Sequence, residues 1–308
     1  MWTLVLFLIG FYILIKGADI LIDGATGIAE RMRVSPFVIG LLIAGIGTSI
    51  PELVIMLVAH AGDQEAMGLG TVIGSNTFNI LAILGASALA TPLVFKRVWV
   101  SRDLLWNCLA IIIAGFFALG PSAGVISRAE GIIMLGAFVL WLAIVFHSHD
   151  MPERERHHKI SIRRAAGLSV IGTAGVILGG RWVVDGAATF AALAGMSEAL
   201  IGLTIVGIGT SLPEFAVSVT AAYRDRFALS VGNVVGSNIF DFLMILGVGA
   251  LMGPISFDNG LTFDLMITLL AAFALLAAVR TRLTLTRGTG ALFIVAYCLY
   301  VVYLVMRG

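Results

Sequence analysis

The chain is expected to be an all-α membrane protein of ten transmembrane helices, arranged as two inverted five-helix repeats. Three observations lead there: an extreme apolar composition, an internal repeat at one fixed spacing, and a one-sided distribution of basic residues. Hydrophobic residues make up 59% of the 308 and charged residues 12%, with a mean hydropathy of +1.05. A soluble domain carries roughly 25% charged residues, so this composition belongs to a polytopic membrane protein.

The repeat is gapless. Gly45-Ile-Gly-Thr-Ser-Ile-Pro-Glu52 returns as Gly207-Ile-Gly-Thr-Ser-Leu-Pro-Glu214, and Val72-Ile-Gly-Ser-Asn-Thr-Phe-Asn79 returns as Val234-Val-Gly-Ser-Asn-Ile-Phe-Asp241. Both blocks recur after 162 residues, and Gly17, Asp23 and Gly24 reappear at Gly179, Asp185 and Gly186 by the same offset. Duplicated segments that carry acids inside apolar runs are the signature of a two-halved membrane architecture.

A spanning helix needs about 20 mostly apolar residues. Apolar runs bounded by charges or Gly/Pro breaks fall near 2–28, 34–60, 66–92, 99–120, 125–147, 165–190, 197–223, 227–252, 260–280 and 288–306. Residues 1–147 thus form a first repeat and 165–308 a second, with a polar linker over 148–164. The first segment lacks a basic leader and a small-residue cleavage site, and reads as a retained helix. Cys108 and Cys298 lie singly in apolar runs and read as packing thiols.

Orientation follows from the positive-inside rule. With the N-terminus outside, 16 of the 19 Lys and Arg residues flank the loops after helices 1, 3, 5, 7 and 9; only Arg128, Arg181 and Arg307 lie opposite. Both termini are therefore placed outside and the linker in the cytoplasm, in a prokaryotic inner membrane. Five helices is an odd number, so the second half enters from the opposite side and the repeat is inverted.

Glu52, Glu214 and Asp241 fall deep within these spans. Each charge at the bilayer centre costs roughly 2.5–3.5 kcal/mol on insertion scales. A purely structural role would call for basic partners, which these spans do not supply at depth. Thr48 and Glu52, Thr210 and Glu214, Ser75 and Asn79, and Ser237 and Asp241 are each four apart, so each pair shares a helix face. Pro51 and Pro213 interrupt the helix around Ser49 and Ser211, and Gly45, Gly47, Gly207 and Gly209 let the backbone open there. Helices 2, 3, 7 and 8 are accordingly expected to be discontinuous, with carbonyls near Gly45 and Gly207 freed as ligands. Every candidate ligand is a hard oxygen, which suits Ca2+, Mg2+ or Na+ and argues against zinc, copper or iron. The pairs Gly70/Gly74 and Gly232/Gly236 are expected to let helices 3 and 8 approach their neighbours closely.

These residues closely resemble the two alpha-repeats of the sodium/calcium exchanger family, within the calcium/cation antiporters, nearest to the short bacterial and archaeal members. The resemblance implies a calcium site between Glu52 and Glu214. It implies sodium sites around Thr48, Ser49, Ser75 and Asn79 with Thr210, Ser211, Ser237 and Asp241, and with carbonyls near Gly45 and Gly207. It further implies that helices 1 and 6 slide over a rigid core. Thr71 stands where the second copy has Asn233, Ile55-Met56 where it has Val217-Ser218, and His60 where it has Ala222. These departures leave the calcium site intact and bear on ion preference.

The expected activity is therefore Na+/Ca2+ antiport, with a proton-coupled exchanger of calcium or another divalent ion as the rival and K+ or H+ as further coupled ions. No nucleotide motif, cofactor, nucleic-acid partner or protein partner is indicated; the surroundings are the lipid bilayer. The chain is not expected to be an enzyme. An intramembrane hydrolase built on Ser49 or Ser211 would lack a His or Lys base. A channel would not require an inverted pair within one chain. The histidines at 147, 149, 157 and 158 read as part of a solvated linker.

Overall fold

A computed structural model describes residues 2–62, 65–119, 124–147, 160–195, 207–257 and 259–307. Its long elements are α1 (Trp2–Met32), α2 (Pro36–Thr48), α3 (Ile50–Ala61), α4 (Met67–Ala90), α5 (Trp99–Ala118), α6 (Arg128–His147), α7 (Ile162–Leu193), α8 (Leu212–Tyr223), α9 (Phe227–Met252), α10 (Gly260–Arg280) and α11 (Arg287–Arg307). Among the described residues, eight helices are long and apolar enough to cross a membrane, and α2 with α3, bent by 40°, makes a ninth span. The expected seventh span falls partly on residues 196–206, outside the described residues; its visible parts are a turn at Gly207–Gly209 and α8. The linker expectation over 148–159 also lies outside them.

Ser35 caps α2, its side chain accepting from the Val38 amide at 3.3 Å, and Pro36 follows at the first turn, where its missing N–H costs nothing. Ser161 caps α7 in the same way, accepting from the Arg164 amide at 3.3 Å. Two short antiparallel ladders tie helix ends together: Leu93–Val94 (β1) with Thr284–Leu285 (β4), and Val125–Ile126 (β2) with Ile255–Ser256 (β3). The all-helical expectation did not foresee them. Their strands are too short to carry a period-2 signal, and their pairing is non-local.

The expectation of discontinuity holds for the second and seventh spans and fails for the third and eighth. Among the described residues α4 and α9 run through as single helices, widened by π turns at Asn79–Ile83 and Phe240–Ile245. Neither contains a proline, so the backbone absorbs the irregularity as a wider turn and keeps its hydrogen-bond ladder.

Apolar packing separates into two clusters. The larger spans α4, α5, α6, α9, α10 and α11 and draws in part of α2 and α3. The smaller lies beneath α1 and α7, reaching Ile39, Ala44, Ala216, Val217 and Ala221. Leu8, Tyr12 and Ile15 of α1 and Val170, Ile171 and Leu178 of α7 face outward, as a lipid-facing surface requires.

Among the described residues the α1/α7 pairing is the most extensive and has a plain cause. Gly10, Gly17 and Gly24 recur every seven residues on α1, and Gly172, Gly179 and Gly186 do so on α7. A Cβ on Gly17 would stand 2.7 Å from the Val176 nitrogen, and one on Gly179 would stand 2.5 Å from the Leu14 nitrogen. Heptad glycines thus let two long antiparallel helices touch backbone to backbone. Gly232 and Gly236 of α9 likewise press against α2 at Phe37 and Leu41, as expected. At Gly70 an added Cβ would meet only Leu261 Cδ2 at 3.6 Å and at Gly74 nothing within 4 Å, so among the described residues that half of the expectation finds no close approach; most of the segment equivalent to α2 lies outside them.

Cys108 is buried and free, as a packing thiol should be; Cys298 is also free but exposed on the outer face of α11.

Candidate ion-binding site

The helix breaks create the site. Ser49 leaves helical geometry (φ −84°, ψ 9°) between the turn Ile46–Thr48 and α3, and Ser211 does the same (φ −92°, ψ 8°) before α8. Pro51 and Pro213 sit in the first turns that follow. Glu52 and Glu214 consequently lie in the first turn of a helix, where unpaired N–H groups and the macrodipole favour negative charge. That field offsets part of the cost of placing them in apolar surroundings.

Both glutamates are 1% exposed, as are Asp241, Asn79, Ser49 and Ser75; Thr48, Ser211 and Ser237 are fully buried, and Thr210 is half-buried. The contacts cross between the two copies of the repeat. Ser49 Oγ donates to Glu214 Oε1 at 3.2 Å, and its counterpart Ser211 Oγ donates to Glu52 Oε1 at 3.5 Å. Asn76 Nδ2 donates to Asp241 Oδ2 at 2.9 Å, and its counterpart Asn238 accepts from Asn79 Nδ2 at 3.0 Å. Ser75 Oγ also donates to Asp241 Oδ2, at 3.4 Å. The carboxylates of Glu52, Glu214 and Asp241 lie close enough to repel one another, and Thr210 stands beside Glu52.

One oxygen of each acid is held and the other is left over. Glu52 Oε2, Glu214 Oε2, Asp241 Oδ1 and Asn79 Oδ1 are buried without a hydrogen-bond donor. An orphaned buried acceptor is costly, and these four stand together with Asn76 Oδ1 and Thr210 Oγ1, which also lack a partner. Among the described residues, no Lys, Arg or His forms an ion pair with the three acids. Nor do three His, Cys, Asp or Glu side chains converge into a ready-made metal cluster among those residues. The candidate site thus combines acids with neutral oxygens.

Gly45 differs from its expectation. Its carbonyl is not free: it accepts from the Ser49 amide at 3.2 Å, from Thr48 Oγ1 at 3.3 Å and from Ser237 Oγ at 3.2 Å. Its lack of a side chain is what matters, because a Cβ would stand 2.9 Å from the Ser237 nitrogen. Gly207 opens the equivalent turn in the second copy.

Sequence reasoning missed three contributors. Asn76 donates across to the opposite copy and Asn238 accepts from it, and the available signal was their identity in both copies, three residues before Asn79 and Asp241. Asn233 was noted only as a difference between copies. It donates to the Glu214 carbonyl at 3.3 Å and to Ser218 Oγ at 2.7 Å, and it accepts from Thr48 Oγ1 at 3.4 Å. The first copy has Thr71 and Met56 instead, and Thr71 Oγ1 turns back to its own helix at Met67 O, 2.9 Å away. Thr48 is therefore sealed in while Thr210 borders a cavity of about 450 Å³ lined also by Ile50, Pro51, Pro213, Arg181 and Asp185. Replacing Asn233 with Ala strips Thr48 and Ser218 of a shared partner; the expected result is several-fold weaker cation binding, measured by calorimetry, with the helical content retained.

A bundle of long apolar helices defines an integral, multi-pass membrane protein, and the buried oxygen acceptors inside it form a candidate cation site. The family model for sodium/calcium exchanger protein matches residues 2–147 and 164–306. The chain belongs to the sodium/calcium exchanger family, a family of transporters. It is 33% identical to the inner membrane protein YrbG of Escherichia coli, over 88% of this chain and 87% of that one. It is 28% identical to the sodium/calcium exchanger MaX1 of Methanosarcina acetivorans, over 96% and 97%. Its fold is similar to that of the sodium–calcium exchanger NCX_Mj soaked with Na+ and Sr2+, with a TM-score of 0.87 at 30% identity and 98% coverage of both chains.

Proposed function

We propose that this chain exchanges Na+ for Ca2+ across a prokaryotic inner membrane by alternating access. Ca2+ is held between Glu52 and Glu214. Na+ is held around it by Thr48, Ser49, Ser75, Asn79, Thr210, Ser211, Ser237 and Asp241, with backbone carbonyls near Gly45 and Gly207. The scaffold is ten helices in two inverted repeats, 1–147 and 165–308, with a cytoplasmic linker over 148–164 and both termini outside.

The observation that carries this reading is the pair of glutamates, each fixed by a serine of the other copy through Oε1 and each leaving Oε2 buried and unpartnered. Two such oxygens neutralise one divalent ion. The symmetry-related contacts Asn76–Asp241 and Asn79–Asn238 support an inverted pair around one centre.

Obligatory exchange follows from the same charges. With calcium gone, mutually repelling carboxylates would face each other in low dielectric, so the protein cannot change conformation until other cations replace it. Sodium fits because neutral hydroxyl and amide oxygens surround the acids. A proton-coupled divalent exchanger is the second reading, favoured by the third acid, Asp241, which breaks the symmetry with Asn79.

Calcium binding to the purified protein, titrated against sodium, tests the assignment. Displacement of calcium by sodium supports it; displacement by protons alone moves the coupling to H+. Replacing Asp241 with Asn should alter the sodium or pH dependence of calcium flux with the fold intact. If neither dependence moved, Asp241 would be a structural hydrogen-bonding residue.

A further inference from the structure

The two ends of the site differ in one way that the proposed exchange does not use. At the end of α8, Arg224 reaches across to α1: its Nη2 donates to Asp23 Oδ1 at 2.6 Å, its Nη1 donates to the Asp19 carbonyl at 3.3 Å, and its Nη1 lies 3.7 Å from Asp19 Oδ1. Asp19 and Asp23 are four apart, on one face of α1, so one guanidinium reaches both, while Lys16 Nζ of the same helix also stands 3.6 Å from Asp19 Oδ2. Asp23 and Arg224 border a polar cavity of about 370 Å³ with Thr26, Glu30, Arg164 and Arg226.

The repeat offset of 162 predicts what should stand at the other end. Arg224 corresponds to Gly62, Asp19 to Arg181 and Asp23 to Asp185. Gly62 has no side chain to reach with. Arg181 instead lies 3.8 Å from Asp185 within α7 itself, and both side chains are mostly exposed, at 78% and 68%. Among the described residues, a tie between helices at one end is thus matched at the other by a pair inside one helix. The 450 Å³ cavity beside Thr210 lies at the untied end, lined by Arg181 and Asp185.

α1 and α7 are held to each other through heptad glycines at backbone distance, whereas the apolar cluster beneath them is shared with α2 and α8. A tie from α8 to α1 therefore fixes the pair, not one helix.

We propose that Arg224, with Asp19 and Asp23, is a one-sided latch that holds the α1/α7 pair against α8 and biases the protein toward the conformation open on the Thr210 side. This rests on the alternating-access reading of the same site. The latch is a positioning device: it touches no transported ion, and it acts by setting which side the site faces. An exposed pair of this kind contributes modestly, and a conformational equilibrium needs only a modest bias to shift.

The test reads the open cavity without relying on ion flux. In a Cys298→Ser background, Val184→Cys places a thiol on the cavity wall, and its reaction rate with a charged maleimide is followed on the purified full chain. Arg224→Ala is expected to slow the reaction roughly three- to fivefold as the population shifts away from the open side. Arg224→Lys is expected to keep most of the rate, and Arg224→Glu combined with Asp23→Arg to restore it. An unchanged rate in Arg224→Ala, or a slowed rate that the charge swap does not restore, overturns the latch. Since labelling needs no calcium, altered labelling in a protein that moves no calcium fails the proposed cargo and keeps the latch. Unaltered labelling in a protein that exchanges normally does the reverse.

Discussion

Replacing Glu214 with Gln is expected to abolish the proposed calcium exchange and leave the protein folded, and Glu52→Gln to do the same. The amide keeps the size of the side chain and an oxygen able to accept from Ser49, so the local bond at 3.2 Å survives. What disappears is the charge on the oxygen that has no donor. Losing one buried charge partner costs about 3 kcal/mol, about two orders of magnitude in affinity. Stability should hold or rise, because a desolvated carboxylate is removed from apolar surroundings. Calcium flux in proteoliposomes and a melting curve on the same preparation check both halves. Flux within a few-fold of the parent would remove Glu214 from the site.

The second large effect is structural. Gly179→Leu should prevent α1 and α7 from pairing, because the added Cβ alone would meet the Leu14 nitrogen at 2.5 Å and the Gly10 oxygen at 2.8 Å. Backbone cannot step aside as a side chain does, so the cost reaches or exceeds about 3 kcal/mol. The expected outcome is loss of monodisperse protein on size-exclusion chromatography. Gly136→Leu on α6, where a Cβ meets nothing within 4 Å, is the matched control and should be tolerated. Normal folding of Gly179→Leu would mean that the two helices do not need their close contact.

Much of this was legible in the sequence because it is local or periodic. The apolar runs gave the spans, and the doubled Gly-Thr-Ser-x-Pro-Glu located two helix breaks and two buried acids. What escaped was relational. Nothing local says that Asn76 donates to Asp241 while Asn79 donates to Asn238, since each bond joins residues about half the chain apart. The glycines at Gly45 and Gly207 suggested freed carbonyls, yet Gly45 serves close approach and its carbonyl is fully engaged. Prolines marked the breaks at Ser49 and Ser211 correctly; without prolines, α4 and α9 widen into π turns, which have no comparable signature. Asp264 escaped notice as a buried acid because its partner, Arg307 at 2.8 Å, comes from the last turn of another helix.

The central claim is most directly tested by calcium uptake into proteoliposomes loaded with sodium, set against potassium-loaded vesicles and vesicles carrying only a proton gradient. The account predicts uptake when sodium can flow outward, none with potassium alone, and none in the Glu52→Gln protein. Uptake driven by the proton gradient without sodium would contradict sodium coupling, and absence of calcium flux under every gradient would contradict calcium as the cargo.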